Sequence, residues 1–374
     1  MIGGNKTMKR LLIIGSTCVD VILRLDHLPT TGEDMHPTQR FAMGGCAYNV
    51  AQVPKAYDVD LMFVTPMGDH GVFSDFVRAH LANAGFRGPI TVPDSENGCC
   101  YCLVEQSGER TFLSVHGIEY SFHADYMKNF AEEHFDYTYI CGLEVEEPTG
   151  EELIAWLEAH PEIAGTIVYA PGPRGIAVAA ERTARLFALH PILHLNEQET
   201  LALAAAHLSD VPTGEHASVS MDTTSFSSIE RSATMDQRTV TWDAPVSKGT
   251  SACRNAPAGY SDAHTPTVST APASALSDRP LLSAAQTLHA TTQNLVIVTR
   301  GAQGVLWISR GGSIHTLPAV PSTVVDTIGA GDSHCGAVLT GIALGWDEEH
   351  TLRFANQVAS EVVAQEGGAY IRRK

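Results

Sequence analysis

The chain has 374 residues, with 24 Lys and Arg against 42 Asp and Glu, for a formal charge of −18. That balance argues against a nucleic-acid or anionic-membrane surface, both of which need clustered basic side chains, but not against a small anion held by backbone donors. No run of ~18 apolar residues could span a membrane, the polar start Met1–Met8 lacks a signal peptide's apolar stretch, and eight cysteines in so long a chain make no disulfide scaffold, so a cytoplasmic location is expected.

The continuous apolar run from Arg10 to Gly15 predicts a strand covered on both faces. A turn over Gly15–Asp20 follows, and Val21 to Leu25 resumes an extended pattern before Pro29 and Gly32 mark a loop. Gly44-Gly45 precedes a helix over Ala47–Val53, which Pro54 stops or kinks. Leu61–Val64 reads as a buried strand, and Asp75–Ala84 as an amphipathic helix closed by Gly85. Strands at Gly98–Glu105 and Arg110–Val115 form a hairpin. Further strands fall at 137–141, 166–169, 190–195, 295–299 and 304–308, and helices at 150–159, 197–207, 331–344 and 348–365. Strands alternating with helices imply a mostly parallel sheet with helices on both faces.

Cys99-Cys100-Tyr101-Cys102 contains a formal C-x-x-C. On a strand, residues 99 and 102 point to opposite faces and share neither a metal nor a disulfide, while 100 and 102 share a face near the limit for bridging. No second Cys or His pair completes a zinc site, so these cysteines are expected to pack as small hydrophobes.

Residues 211–280 break the pattern: 22 of 70 positions are Ser or Thr. Such a composition buries too little apolar area to offset ordering entropy, so a disordered surface insertion is expected. Chain length alone suggests about two domains, though one large α/β domain would also fit, and about 300 residues remain without the insertion.

The segment Val325-Asp326-Thr327-Ile328-Gly329-Ala330-Gly331-Asp332-Ser333 runs directly into an apolar helix. Glycines let several N–H groups converge, and a helix N-terminus adds unpaired donors and partial positive charge, making an anion site. Asp332 beside it reads either as a base taking a hydroxyl proton during phosphoryl transfer or as a simple helix cap. No Walker-type G-x-x-x-x-G-K-[ST], dinucleotide G-x-G-x-x-G, H-E-x-x-H or G-x-S-x-G motif competes with it.

Asp326-Thr327-Ile328-Gly329-Ala330-Gly331-Asp332 resembles the C-terminal D-T-x-G-A-G-D signature of the ribokinase/PfkB carbohydrate kinases. Gly44-Gly45-Cys46-Ala47-Tyr48-Asn49 is similar to that family's G-G-x-x-x-N signature, Asn196-Glu197-Gln198-Glu199 to its N-x-x-E, and Thr299-Arg300-Gly301-Ala302-Gln303-Gly304 to its T-x-G-x-x-G loop. Gly68-Asp69-His70-Gly71 and Gly108-Glu109-Arg110-Thr111 look like further landmarks, all in family order from about Met8 to Arg372.

The resemblance implies a three-layer α/β/α ribokinase-like fold with a mostly parallel central sheet, one kinase domain over 8–374, and a small β lid from about 17–43 and 98–115. Asp332 would be the general base, and Gly329, Ala330 and Gly331 the anion hole. Asp20, Gly44, Gly45 and Asn49 would hold the acceptor, although Asp20 also reads as a cap on the turn after the first strand. Asn196 and Glu199 would position Mg²⁺ through water, Thr299, Gly301 and Gly304 would line the ATP phosphates and ribose, and Asn356 would approach adenine. Asp326 would stand beside a K⁺ site.

The implied activity is ATP-dependent phosphorylation of a hydroxymethyl group on a sugar or sugar derivative. The alternatives are a nucleoside kinase of the same family or a non-catalytic sugar-binding sensor. The implied partner is a small molecule, with a homodimer through the lid as the expected assembly. Two features depart from the family. Cys46-Ala47 stands where ribokinases carry Lys-Gly, and Ala170 stands where Asp often precedes the Pro-Gly-Pro-Arg stretch.

Overall fold

The computed structural model describes residues 8–107, 109–210 and 278–372. The N-terminal extension 1–7, Gly108, residues 211–277 of the expected insertion, and 373–374 lie outside them. The chain begins with β1 (Leu11–Ile14), β2 (Cys18–Leu25), β3 (Thr38–Gly44), α1 (Cys46–Ala56), β4 (Leu61–Val64), β5 (Pro66–Gly68) and α2 (Val72–Ala84). It continues through β6 (Ile90–Val92), β7 (Cys99–Glu105), β8 (Arg110–Val115), β9 (Tyr137–Cys141), α3 (Gly142–Glu146), α4 (Gly150–Ala159) and α5 (Pro161–Ala164). Then come β10 (Thr166–Ala170), α6 (Ala180–Ala188), β11 (Ile192–Asn196), α7 (Glu197–Asp210) and α8 (Arg279–Thr292). The last elements are β12 (Val296–Thr299), β13 (Val305–Ile308), β14 (Ile314–Leu317), α9 (Ala330–Ala343) and α10 (Glu348–Val363).

Successive side chains on a strand point to opposite faces, so a sheet covered on both sides needs a continuous apolar run. Along β1, Leu11 and Ile13 enter one core with Phe63, Tyr139 and Ile297. Leu12 and Ile14 enter the other with Met62, Val64 and Ile140. The eight strands pair in the order β14-β13-β12-β11-β10-β9-β1-β4. All pairings from β12 to β4 are parallel, and β12-β13-β14 are antiparallel. Helices α1, α2, α9 and α10 cover the first core, and α4 to α8 the second. This is the expected three-layer α/β/α arrangement. The segments expected to form a lid supply a second sheet, ordered β3-β2-β7-β8.

Several expectations need correction. Pro54 does not end the helix begun at Ala47; it lies inside α1, which runs to Ala56. Proline has no N–H to donate to the Val50 carbonyl one turn back. That oxygen instead faces Gly336 of α9, where an added methyl would stand 2.4 Å from it. The turn expected through Asp20 is shorter, because Cys18 already pairs with Gly44 and Val19 with Cys99, which puts Asp20 within β2. The expected insertion overruns its end, since α8 starts at Arg279 with Pro280 in its first turn, where a missing N–H costs nothing. The strands β5, β6 and β14 are too short for a period to show, whereas β3, α6 and α8 are additions to the expected elements, with α8 burying Leu281, Ala284, Ala285 and Leu288 at helical spacing.

The contact at Gly336 gives a direct test. Gly336→Ala forces a methyl against the backbone oxygen of Val50, which cannot swing aside as a side chain could. The expected cost is about 1–3 kcal/mol of stability, read as a lower urea midpoint with an unchanged slope. A variant as stable as the parent would contradict the close α1–α9 contact.

Candidate active site

The parallel strands end on one side of the sheet, where open α/β folds place their ligands. Gly15, Gly142, Pro171, Glu197 and Arg300 follow β1, β9, β10, β11 and β12 there. Glu144, buried in α3, accepts from Ser16 N at 2.7 Å and pins the turn leading into β2. Burial raises the pKa of this carboxyl group.

Gly329 caps α9 with φ 69°, and a methyl there would lie 2.3 Å from Gly368 O, so only glycine fits this left-handed turn. Ser333 N donates to Gly329 O at 2.8 Å and Ala330 N to Thr327 O at 3.4 Å. Among the described residues, no acceptor is bonded by Gly331 N or Asp332 N, and Gly331 is exposed with open space where a side chain would sit. These are the unpaired donors of a helix first turn.

Asn49, on the face of α1 that meets α9, donates through Nδ2 to Asp332 Oδ2 at 3.0 Å. Burial raises the pKa of Asp332 to about 6, against the opposing hydrogen bonds from Asn49 and Cys46. Cys46 opens α1. The family's lysine position thus carries an uncharged thiol against the carboxylate. Asp20 is raised to about 6 as well, by burial first and then by the charges of Asp332 and Asp326. Gly44 leaves the space its carboxylate needs, since a methyl there would sit 2.4 Å from Oδ2. Gly45 turns with φ 101° against Ser16 O.

A cavity of about 560 Å³ is lined by Thr299, Gly301, Gly304, Ala330, Gly331, His334 and Asn356, with an apolar wall that includes Val320, Val324 and Val363. Its volume and mixed lining suit a cofactor-sized ligand. Arg300 ties its loop down through Glu197 at 2.7 Å and Asp278 at 3.1 Å. Asn356 does not offer a free amide: Nδ2 donates to Pro318 O at 2.9 Å, which leaves Oδ1 to accept from His334 Nε2 at 3.2 Å. His334 Nδ1 must then accept from His194 Nε2 at 2.9 Å. Burial holds both rings neutral, lowering His334 to about 4 and His194 well below the ordinary histidine value. This relay under the cavity was missed in the sequence, where His334 sits unremarked in an apolar helix.

Asn196 and Glu199 are not among the cavity residues. They form a reciprocal cap on α7, with Asn196 N to Glu199 Oε2 at 2.9 Å and Glu199 N to Asn196 Oδ1 at 2.8 Å. Burial raises the pKa of Glu199, and the charge of Asp332 adds to the effect.

Asp326 takes Ile328 N at 2.8 Å and Arg110 Nη1 at 3.1 Å on one oxygen, and Gly367 N at 3.0 Å on the other. Both oxygens are engaged and the neighbouring positive charge is a guanidinium from β8, so the residues present do not fit a K⁺ ion at this carboxylate. A second cavity of about 520 Å³ lies here, between the small sheet and the 325–328 loop, with Arg24, Arg40, Cys102 and Arg110 on its wall.

A model described as pfkB family carbohydrate kinase matches residues 8–223 and 230–373, and the chain belongs to that family. It is an ATP-dependent carbohydrate kinase. The chain is 28% identical over 363 residues to an uncharacterized sugar kinase, YegV, of Escherichia coli (strain K12), covering 97% of this chain and 91% of that relative. The fold is similar to ribokinase from Thermotoga maritima, with a TM-score of 0.68 at 19% identity over 96% of this chain and 94% of that one. A nucleoside kinase from Burkholderia thailandensis in complex with inosine superposes with a TM-score of 0.64 at 16% identity, over 96% and 92%. At these identities the structures establish the fold alone. Among the described residues no helix is long and apolar enough to cross a membrane.

The raised pKa of Asp332 carries a stability cost with a defined sign. Its folded value of about 6 lies above the ordinary aspartate value of 3.8. The fold therefore favours the protonated form, and stability is lost as pH rises through about 6. Asp332→Asn removes the charge and keeps an acceptor for Asn49. The variant should be more stable than the parent at pH 8, by at most about 3 kcal/mol, and equal to it near pH 4. Thermal melts across that range check this, and a variant less stable at pH 8 would contradict it.

Proposed function

We propose that this kinase transfers the γ-phosphoryl group of ATP to a hydroxymethyl group of a sugar or sugar derivative, with Asp332 as general base. One observation carries the reading: the Asp332 carboxylate stands in the first turn of α9, held by Asn49 and next to the unpaired N–H of Gly331 at the nucleotide cavity.

The acceptor hydroxyls would be held by Asp20, Asn49 and the backbone at Gly44 and Gly45. Asp332 takes the proton of the reacting hydroxyl as its oxygen attacks the γ-phosphorus. The bond to the β–γ bridging oxygen breaks, and ADP leaves. Charge on the transferring group would face the N–H donors of Gly329 and Gly331, fixed before reaction, whereas the N–H of Ala330, also expected in the anion hole, is already given to Thr327 O at 3.4 Å. Thr299, Gly301 and Gly304 line the phosphates and ribose, and Asn356, fixed by the histidine relay, shapes the adenine end.

Glu199 and Asn196 supply hard oxygen donors suited to Mg²⁺, and a cation near Glu199 would relieve its buried charge. Contact through water leaves their mutual cap intact. When bound, Mg²⁺ neutralises charge on the β- and γ-phosphates.

The small sheet acts as a lid, with Arg110 reaching across to Asp326. Closure excludes water, which otherwise competes as acceptor. Phe112, Leu113 and Val115 are exposed on its edge strand β8, which supports a homodimer through the lid. Sedimentation velocity checks the assembly, and a monomer at high micromolar concentration would remove it.

ATP consumption with a panel of free sugars, sugar phosphates and nucleosides tests the acceptor class. Turnover with a sugar is expected, nucleoside-only turnover would transfer the reading to a nucleoside kinase, and ligand binding without turnover would make the protein a sensor. On the best acceptor, Asp332→Asn should lower kcat by ~100-fold or more while leaving ATP affinity nearly unchanged. Retained activity would reject Asp332 as the base.

A further inference from the structure

The inner face of the small sheet carries two thiols that phosphoryl transfer does not need, beside the Asp20 carboxylate. In the parallel register of β2 and β7, Asp20 stands beside Cys100, with Cys102 two residues further along on the same face. The Cys100 and Cys102 sulfurs are 3.9 Å apart, and both lie within 4.8 Å of an Asp20 carboxylate oxygen. Two thiolates at about 2.3 Å from one tetrahedral zinc ion lie about 3.8 Å apart. The thiols therefore already stand at the spacing a single ion requires.

One strand alone supplies too few ligands for a zinc site. The third ligand comes from the neighbouring strand instead. Among the described residues, no protein donor bonds the Asp20 carboxylate, so it is uncommitted. Ser114, opposite Cys100 on β8, places its hydroxyl 3.7 Å from the Cys100 sulfur, where it can support a bound thiolate. Cys102 lines the open cavity beneath the small sheet, which provides a route for entry.

We propose that Asp20, Cys100 and Cys102 bind one thiophilic divalent cation, Zn²⁺ or Cd²⁺, and that the bound ion blocks the acceptor site. Binding releases the two thiol protons to solvent and forms two metal–sulfur bonds and one metal–oxygen bond, with no change of oxidation state. Blockade follows because the metal occupies the carboxylate proposed to hold the acceptor. That second part rests on the proposed acceptor role of Asp20, whereas metal binding does not.

Titrating the whole chain with Cd²⁺ and following thiolate-to-cadmium charge-transfer absorption tests the site. One equivalent per chain is expected, with the absorption of two thiolates. Either Cys100→Ser or Cys102→Ser should weaken binding beyond the ~10–100-fold typical of losing an outer hydrogen-bond partner, while Cys46→Ser leaves it unchanged. Metal-free melting curves identify any variant that is unfolded, and the other cysteine then decides. Absent absorption in the parent, or absorption that survives both cysteine substitutions, overturns the site. In the kinase assay, Cd²⁺ should raise the acceptor KM with kcat unchanged. Stoichiometric binding that leaves the acceptor KM unmoved would overturn the blockade and the acceptor role of Asp20 together, while leaving the metal site in place.

Discussion

The close crossing of α1 and α9 is the constraint on which the site depends. Pro54 leaves the Val50 carbonyl without an intrahelical donor, and Gly336 lets the facing helix approach until only hydrogen separates its backbone from that oxygen. Helix α9 is buried from Ser333 through Gly341, so it has little freedom to slide. This crossing places Asn49 at 3.0 Å from Asp332, although the two are 283 residues apart in the chain. A core packing contact thereby sets the position of a carboxylate at the site.

Electrostatics at the site oppose the global charge in an instructive way. A chain of net charge −18 concentrates carboxylates where a polyanionic nucleotide is to bind. Burial raises the pKa of Asp20, Asp332 and Glu199, and the charge of Asp332 adds to the effect on Asp20 and Glu199. On the proposed reading the phosphate is met by backbone donors at α9, which the charge count does not register. Asp326 is treated differently, taking Arg110 and two backbone N–H groups that stitch the small sheet to the loop preceding α9.

Much of this was legible where neighbouring residues act together. The apolar runs of β1 and β4, the glycine turn into α9, and the T-x-G-x-x-G loop are local patterns, and local patterns survive in sequence. Pro54 reads as a helix stop but occupies a place inside α1 where the missing N–H is put to use. What stayed hidden was assembled by register and packing. His194 reaches His334 from a strand 140 positions away, and Asp20 meets Cys100 only because β2 and β7 pair in parallel. The N-x-x-E residues were legible as a motif, but their capping geometry emerges only when α7 is in place.

The central claim is that Asp332 is the base and that Asn49 tunes it across the α1–α9 contact. The pH dependence of kcat/KM, which reports groups of the free enzyme, tests this directly in the parent and in Asn49→Ala. Asp20 also titrates near pH 6, but Asn49 bonds only Asp332 of the two. The account predicts an acid limb near pH 6 whose Asp332 component moves to higher pH in the variant, because the hydrogen bond favouring the charged carboxylate is gone, while any Asp20 component stays. A limb that stays in place, or a rate indifferent to pH across that range, would contradict it.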